Sequence, residues 1–240
     1  MTGGAELRTA GVVGAVLARA EAWLLEPAPP ALTEAPASPP RPIVAVRGLA
    51  RGCGASTVAR AVAATMAAAD PRGAAVVAGD LGVTGIRLAT PAAARLAREA
   101  AVLGCDGARA VGRLCLVPAG EPIALLAADR QCPVVIEVPA RAPASDGLGL
   151  ADHVVLVAGA GSEAALAAAV EGSLAAAGHS VDVVVNRLEE GAAADLPPGA
   201  TGLPEARLAA QVALACRGAH GPLAAPIASI AVRCTVRARR

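Results

Sequence analysis

The sequence lacks lysine, phenylalanine and tyrosine altogether, and it contains one tryptophan, Trp23, and one asparagine, Asn186. Apart from three histidines, every basic side chain is therefore an arginine. We interpret these absences as a compositional bias, so a lysine missing from any one position carries little weight. A core with almost no aromatic rings has to be filled by Ala, Val and Leu.

Neither a strong net charge nor a long hydrophobic run is present. The 21 basic residues nearly balance 20 acidic ones, so no general attraction to nucleic acid is expected. No apolar run reaches the roughly 18 residues that a membrane-spanning helix needs. Glu6 precedes the first apolar run in place of a basic leader, so we expect no signal peptide. These features predict a cytoplasmic protein.

The six cysteines show no pattern typical of a metal site. They form no C-x-x-C pair, and no histidine lies at metal-binding spacing from them. We predict that all six are small buried apolar residues in a reducing compartment. The six are Cys53, Cys105, Cys115, Cys132, Cys216 and Cys234.

Composition divides the chain into three segments. Residues 1–26 are predicted to contain a helix, because apolar residues from Leu7 to Leu24 recur at roughly helical spacing. Residues 27–42 hold seven prolines and are expected to form a semi-extended linker. Residues 43–240 form the main domain. The first helix either docks on this domain or binds a partner.

Apolar runs and helical patterns alternate through the main domain. Runs that are apolar at nearly every position are typical of strands covered on both faces, as in parallel sheets. The sequence therefore predicts an α/β fold with a doubly wound, mostly parallel sheet and helices on both faces. The predicted strands are Ile43–Val46, Ala74–Ala78, Leu114–Val117, Val134–Val138, Val154–Val157 and Val181–Val185. The predicted helices are Ser56–Ala69, Pro91–Leu103, Ser162–Ala177 and Glu205–Cys216.

A glycine-rich turn follows the first predicted strand and opens a helix. This geometry directs backbone N–H groups toward one point at a helix N-terminus, where an anion is stabilised. The usual phosphate-binding motif is G-x-x-x-x-G-K-[ST], but Leu49 replaces its first glycine and Ala55 its lysine. We predict a phosphate-binding loop that uses amides without the lysine charge. Its candidate residues are Gly52, Cys53, Gly54, Ala55, Ser56 and Thr57.

Polar side chains follow other predicted strands. Asp80, Glu137 and Asn186 all fall at or just beyond strand ends, and ligands of open α/β sheets bind at the carboxyl ends of strands. A carboxylate beside the loop suits Mg²⁺. We therefore predict that Glu137 and the Ser56 hydroxyl hold Mg²⁺.

Taken in order, these motifs resemble the ParA/MinD superfamily of deviant P-loop ATPases. The resemblance covers Ile43 to Gly221, and it includes the loop, the D-L-G after the second strand and V-V-N-R near Asn186. The G-A-S-T of the loop is most similar to the CpaE/TadZ branch, whose members act in pilus assembly and localisation in Tad/Flp secretion systems. The resemblance implies ATP and Mg²⁺ as ligands, a homodimer, and a protein partner in a pilus or secretion machine or at the cell pole.

The resemblance also assigns roles to single residues. Asp80 would lie near the attacking water as the catalytic residue, and Glu137 corresponds to the Walker B carboxylate. Asn186 and Arg187 correspond to the position that reads the adenine edge. The lysine that crosses the dimer in ParA and MinD falls near Ala50 and is missing.

Losing the loop lysine weakens any nucleotide site. A charged donor to phosphate contributes about 1.5–3 kcal/mol, so ATP binding should fall about 10- to 100-fold. We expect a nucleotide-binding switch or scaffold that is at most a weak ATPase. The alternatives are a slow but active ATPase, a nucleotide-free module in which Leu49 and Ala55 pack together, and a DNA-binding partition protein, which the net charge disfavours.

Two further expectations concern the surface. Arg233, Arg237 and Arg240 are spaced to share one helix face, so the basic end is either a solvated tail or a weak membrane contact. In the second case Ile227, Ile230 and Val236 would face anionic lipid. His153 flanks a predicted strand and is expected at the surface.

Overall fold

The computed structural model of the chain describes residues 41–79, 82, 88–119, 132–140, 147–189 and 196–237. Several expectations fall outside these residues. They are the helix in residues 1–26, all but the last two residues of the linker, the catalytic role of Asp80, and the last three residues of the basic end.

A β-sheet of eight strands runs through the described residues. Its spatial order is β3–β4–β2–β5–β1–β6–β7–β8, and all neighbours pair in parallel except β3 and β4. The strands are β1 (Ile43–Gly48), β2 (Ala74–Ala78), β3 (Arg109–Val111), β4 (Leu114–Pro118), β5 (Val134–Val138), β6 (His153–Gly159), β7 (Val181–Leu188) and β8 (Thr201–Pro204).

Helices cover both faces of this sheet, because each strand sends alternate apolar side chains to opposite sides. Val44 and Val46 belong to the cluster on one face, whereas Ile43 and Ala45 belong to the cluster on the other. The predicted doubly wound α/β fold is confirmed. The helices are α1 (Ala55–Ala69), α2 (Pro91–Val102), α3 (Ser162–Ala176), α4 (Arg207–Leu214) and α5 (Ala224–Arg237).

The helices divide between the faces according to their buried residues. Helices α1, α4 and α5 pack on the Val44 side, and α2 and α3 pack on the other side. The core consists almost entirely of Ala, Val, Leu and Ile with the six cysteines, which are all buried and free of disulfides. Both compositional predictions, an aromatic-free core and buried thiols, are confirmed.

Strands β3 and β8 and helix α5 were not among the strands and helices predicted from the sequence. Strands β3 and β8 have three and four residues, too few to show a period. Helix α5 replaces the expected tail, and Pro226 stands at its third position. A proline is tolerated there because the first N–H groups of a helix have no intrahelical acceptor.

The expectation of a solvated tail or a lipid-facing helix is wrong for the described part of α5. Ile227 and Ile230 are buried against the sheet, so these two side chains cannot face lipid, whereas Val236 is exposed. Arg233 lies 2.7 Å from Asp182 in an ion pair. Within the part of the chain that the structure describes, no helix is both long and apolar enough to cross a membrane.

A buried polar network joins the amino ends of β6, β7 and β8 to α5. His153 is fully buried, which corrects its expected surface position. Its Nδ1 lies 3.0 Å from the Ser180 hydroxyl, and its Nε2 lies 3.4 Å from Asp182. Arg233 donates to Asp182 and, at 2.8 Å, to Thr201.

Asp182 is the centre of this network. Burial raises the pKa of its carboxyl group, but the His153 ring 3.4 Å away and the Arg233 guanidinium, which donates a hydrogen bond to it, outweigh burial and lower that pKa to about 2. The carboxylate is therefore held ionised at the amino edge of the sheet, by which we mean the side where the parallel strands begin; the carboxyl edge is the side where they end.

Candidate functional site

The glycine-rich turn leaves β1 at Gly48 and enters α1 at Ala55. Gly52 and Gly54 adopt left-handed conformations, with φ of 80° and 94°. Residues with a Cβ pay a steric penalty in this region, so glycine is required by the path of the turn. At Gly54 an added Cβ would also collide with the Asn186 side chain.

The N-terminus of α1 presents uncapped amides. No side chain caps it, and the first intrahelical bond is donated by Val58 to the Gly54 carbonyl at 3.0 Å. The N–H groups of residues 54–57 have no acceptor among the residues that the structure describes. Such groups, together with the positive end of the helix dipole, form a site for an anion.

Ser56 and Glu137 meet beside this helix end. Pairing of β1 with β5 places Glu137 next to Val46, and the Ser56 hydroxyl donates a hydrogen bond to Oε1 of Glu137. A hydroxyl and a carboxylate are hard oxygen donors, and Mg²⁺ is held in nucleotide sites by one or two protein oxygens with water and phosphate. The pair fits Mg²⁺ in chemistry. No group of three His, Cys, Asp or Glu side chains suitable for a metal occurs in the described ranges.

Apolar side chains occupy part of the turn. The buried thiol of Cys53 and the methyl group of Ala55 would lie 2.8 and 3.2 Å from a Cβ at Gly48. Leu49 packs against the cluster around Leu156, whereas Ala55 packs against the cluster on the other face. Leu49 and Ala55 thus pack against different clusters. The nucleotide-free alternative instead expected these two side chains to pack against each other.

Asn186 contacts the turn directly. Its Nδ2 donates to the Cys53 carbonyl at 2.9 Å, and its amide lies against Gly54. The bond joins the end of β7 to the glycine-rich turn across the sheet. Asn186 therefore positions the turn, and its Oδ1 is the atom left to accept from a ligand.

A cavity of about 430 Å³ opens beside the N-terminus of α1. Pockets for small ligands typically have roughly 300–1,000 Å³, so it can contain a nucleoside-sized group. The structure brings Gly54, Thr57, Asn186 and Arg187 together at this cavity. Further wall residues come from the end of β8 and from α4: Leu203, Pro204, Glu205, Arg207, Gln211 and Leu214.

Arg187 has an unusual backbone conformation at the mouth of the cavity. Its φ is 61°, and the pairing of β7 with β8 shifts register between Asn186 and Leu188. Such a bulge re-aims a side chain, and a non-glycine residue in this region carries strain of about 1–3 kcal/mol. Strain of this kind is typical of ligand sites.

Arg60 was not among the residues selected from the sequence. It is only 3% exposed, and its Nη1 donates to the Gly82 carbonyl at 2.9 Å and to the Leu214 carbonyl at 2.6 Å. Arg60 is the one charged residue of α1. A lone charge within an otherwise apolar helix was the signal that could have identified it.

The sequence matches no protein-family profile, and it matches no curated protein. Solved structures do show the same fold. The chain is similar to a ParA family ATPase from Chlorobium tepidum, with 13% identity, a TM-score of 0.55, and coverage of 81% of this chain and 99% of that one. It is also similar to the cell division protein MinD of Aquifex aeolicus, with 15% identity, a TM-score of 0.56, and coverage of 80% and 95%.

A third similar structure contains a ligand. MinD from Pyrococcus horikoshii was solved with Mg-ADP, and it matches at 15% identity with a TM-score of 0.55, covering 80% of this chain and 95% of that one. At these identities the likeness establishes the fold. This chain therefore has the fold of the ParA/MinD proteins.

Proposed function

We propose that this protein binds ATP with Mg²⁺ and acts as a nucleotide-dependent switch or scaffold. The observation that supports this most directly is the position of the cavity. The uncapped amides of α1 stand at one side of it, and Asn186 and Arg187 stand at another. Phosphates at the amides would leave the base inside the cavity.

Different residues contact different parts of the ligand. The N–H groups of residues 54–57 hold the phosphates through the backbone, which needs no lysine. Ser56 and Glu137 hold Mg²⁺, which neutralises phosphate charge when it is bound. Arg187 and the Oδ1 of Asn186 face the base and ribose.

Turnover is expected to be slow or absent. Ala55 supplies no charge where the transition state would need it, and loss of one such group reduces rate on the order of 10²–10³-fold. Asp80 is the residue that we assign to the attacking water. A slow ATPase of the same fold is the alternative; it would show multiple-turnover phosphate release that is lost in Asp80→Ala.

The cellular role follows from the resemblance of the G-A-S-T loop to the CpaE/TadZ branch. We propose that the protein forms a homodimer in the cytoplasm and localises or assembles a pilus or secretion machine through a protein partner. The arginines beyond residue 236 can add a weak contact with anionic lipid, although Ile227 and Ile230 of α5 are buried and not available for insertion.

Calorimetric titration with ATP and Mg²⁺ tests the binding proposal. We expect saturable heat and a rise in melting temperature at millimolar nucleotide. Gly54→Val is the matched variant, because its side chain would displace Asn186 and strain the turn without altering any charge. Neither heat nor a thermal shift in the wild-type protein at millimolar ATP would reject the proposal.

A nucleotide-free structural module is the second candidate function. The packing of Cys53 and Ala55 inside the turn favours it, because side chains there reduce the space for phosphate. It predicts that ATP produces neither heat nor a thermal shift in wild-type protein or in Gly54→Val, and that Ser56→Ala changes stability alone.

A further inference from the structure

A second open cavity, of about 800 Å³, lies away from the nucleotide cavity. It meets α1 at Thr65 and Ala68, whereas the nucleotide cavity meets the same helix at Thr57 and Val58. The seven residues of helix from Val58 to Thr65 span about 10 Å. Among the described residues the two cavities share no wall residue, so the second cavity is a separate place for a ligand.

Two arginines come together at this cavity because two loops touch. Gly112 lies in the turn between β3 and β4, and a Cβ added to it would lie 3.2 Å from the carbonyl oxygen of Cys216, in the loop after α4. Arg113 directly follows one contacting residue, and Arg217 directly follows the other. Both arginines line the cavity. The fold therefore places two guanidinium groups, which are remote in sequence, in the wall of one cavity.

Neither guanidinium group is neutralised within the part of the chain that the structure describes. The side chains of Arg113 and Arg217 form no hydrogen bond or ion pair there, and no described residue of the cavity wall is an aspartate or glutamate. Arg41 and Arg233, by contrast, each pair with an aspartate. Because two positive charges repel each other, a wall of this kind favours an anion.

A histidine adds a further polar group to the wall. His220 lines the same cavity, and its Nδ1 lies 3.1 Å from the Gly218 carbonyl oxygen. Because a carbonyl oxygen only accepts, Nδ1 carries the hydrogen of this bond, and Nε2 is left to bond to a ligand. Guanidinium groups bind carboxylate and phosphate oxygens through paired hydrogen bonds. The three side chains together suit an oxyanion.

We propose that this cavity is a second ligand site, which binds a small polyanion: a molecule that carries at least two phosphate or carboxylate groups. Each guanidinium group can hold one of these groups. The volume suits a small molecule, since pockets for such ligands typically have roughly 300–1,000 Å³. A large polyanion would need a broad basic surface, but 21 basic residues are nearly balanced by 20 acidic ones. The proposal is independent of nucleotide binding, because the amides of α1 take no part in it.

Calorimetric titration of the full-length protein with pyrophosphate, at constant ionic strength, tests the second site. We expect saturable binding to wild type, weakened about tenfold in Arg113→Met and in Arg217→Met, since each variant loses a charged hydrogen bond to the ligand. Arg98→Met removes an exposed arginine that does not line the cavity, and it should bind like wild type. Inorganic phosphate, which has one oxyanion group, should bind about tenfold more weakly than pyrophosphate.

Citrate in the same titration distinguishes the two kinds of oxyanion. Tighter binding of pyrophosphate assigns the site to a phosphate-bearing ligand, and tighter binding of citrate assigns it to a carboxylate-bearing one. Either result supports the site if both arginine variants weaken it. Both arginines are exposed, so we expect the variants to fold, and circular dichroism checks this. Folded Arg113→Met and Arg217→Met that bind both probes like wild type would overturn the proposal.

Hydrogen exchange separates this site from the nucleotide site, because pyrophosphate can also bind the amides of α1. Pyrophosphate in the second cavity should slow exchange in peptides that cover residues 109–116 and 214–221. Slowing only in peptides that cover residues 52–58 would overturn the second site and leave the proposed function intact. Slowing only around the second cavity, with no effect of ATP on residues 52–58, would support the second site and reject the proposed function.

Discussion

The two edges of the sheet use polar residues in opposite ways. At the amino edge, Asp182 is held by Arg233 and His153 in a buried network, and Asp152 accepts the Ile43 amide at 2.9 Å. At the carboxyl edge, the first amides of α1 lack acceptors in the described chain, and Arg187 holds a left-handed conformation.

This difference separates stability from function. Satisfied buried groups stabilise the fold, whereas unsatisfied amides and backbone strain persist where a ligand can use them. Substitutions at the amino edge should therefore change stability without changing ligand affinity. Substitutions of the ligand-facing side chains at the carboxyl edge, unlike those of the turn glycines, should change affinity and leave stability equal or higher.

The largest expected effect is at the amino edge. Asp182→Asn removes the carboxylate and leaves the Arg233 charge without its partner, so the free energy of unfolding should fall by about 3–5 kcal/mol. Urea unfolding measures this fall. Asp106→Asn, at an exposed aspartate, should change stability by less than about 0.5 kcal/mol.

ATP affinity is the second measurement on Asp182→Asn. It should equal that of wild type under conditions where the variant is folded. A change in affinity as large as the change in stability would show that the two edges are not independent.

Hydrophobic patterning predicted the sheet but not the buried polar network around Asp182. The runs that include Val44, Val135 and Val155 are apolar at nearly every position, so their place in a two-sided parallel sheet followed from composition. His153 flanks one such run and Asp182 lies within another that is distant in sequence, and only the register of β6 and β7 brings them together. A single histidine beside a strand gave no sign of that partner.

Of the candidate site, too, the sequence predicted the local part and missed the long-range contacts. The turn around Gly54 was predictable because its chemistry is local: a strand, glycines and a helix start are adjacent in the chain. Its contact with Asn186 spans 133 residues, and Arg60 takes its partners from two remote segments. Long-range hydrogen bonds to backbone carbonyls leave no trace in side-chain periodicity.

The next largest effect is at the carboxyl edge. Ala55→Lys restores the charge of the usual motif, so ATP affinity should rise about 10- to 100-fold with little change in stability. Calorimetric titration measures the affinity. Ala55→Met, similar in length and uncharged, should not raise it, and equal gains in both variants would attribute the effect to packing in the turn.

The pH dependence of stability sharpens the description of the amino edge. The pKa of Asp182 falls from an ordinary 3.8 to about 2 in the fold, so its contribution is fully present above pH 3.8 and is lost as pH falls toward 2. The loss should be about 2 kcal/mol, seen as a narrowing gap between wild type and Asp182→Asn in unfolding experiments. A gap that stays constant over that interval would show that Asp182 is not stabilised as a carboxylate.

The smallest effect tests whether the carboxyl edge stores strain. Arg187→Gly removes a left-handed strain of about 1–2 kcal/mol, and the greater freedom of glycine in the unfolded chain offsets about 0.5–1 kcal/mol. We therefore expect a net gain of roughly 0.5–1 kcal/mol in unfolding free energy. Arg187→Ala removes the same guanidinium but keeps the strain, so its stability should not rise. If Arg187→Gly and Arg187→Ala are equally stable, the conformation of Arg187 is not strained. The two edges would then differ only in how their polar groups are hydrogen-bonded.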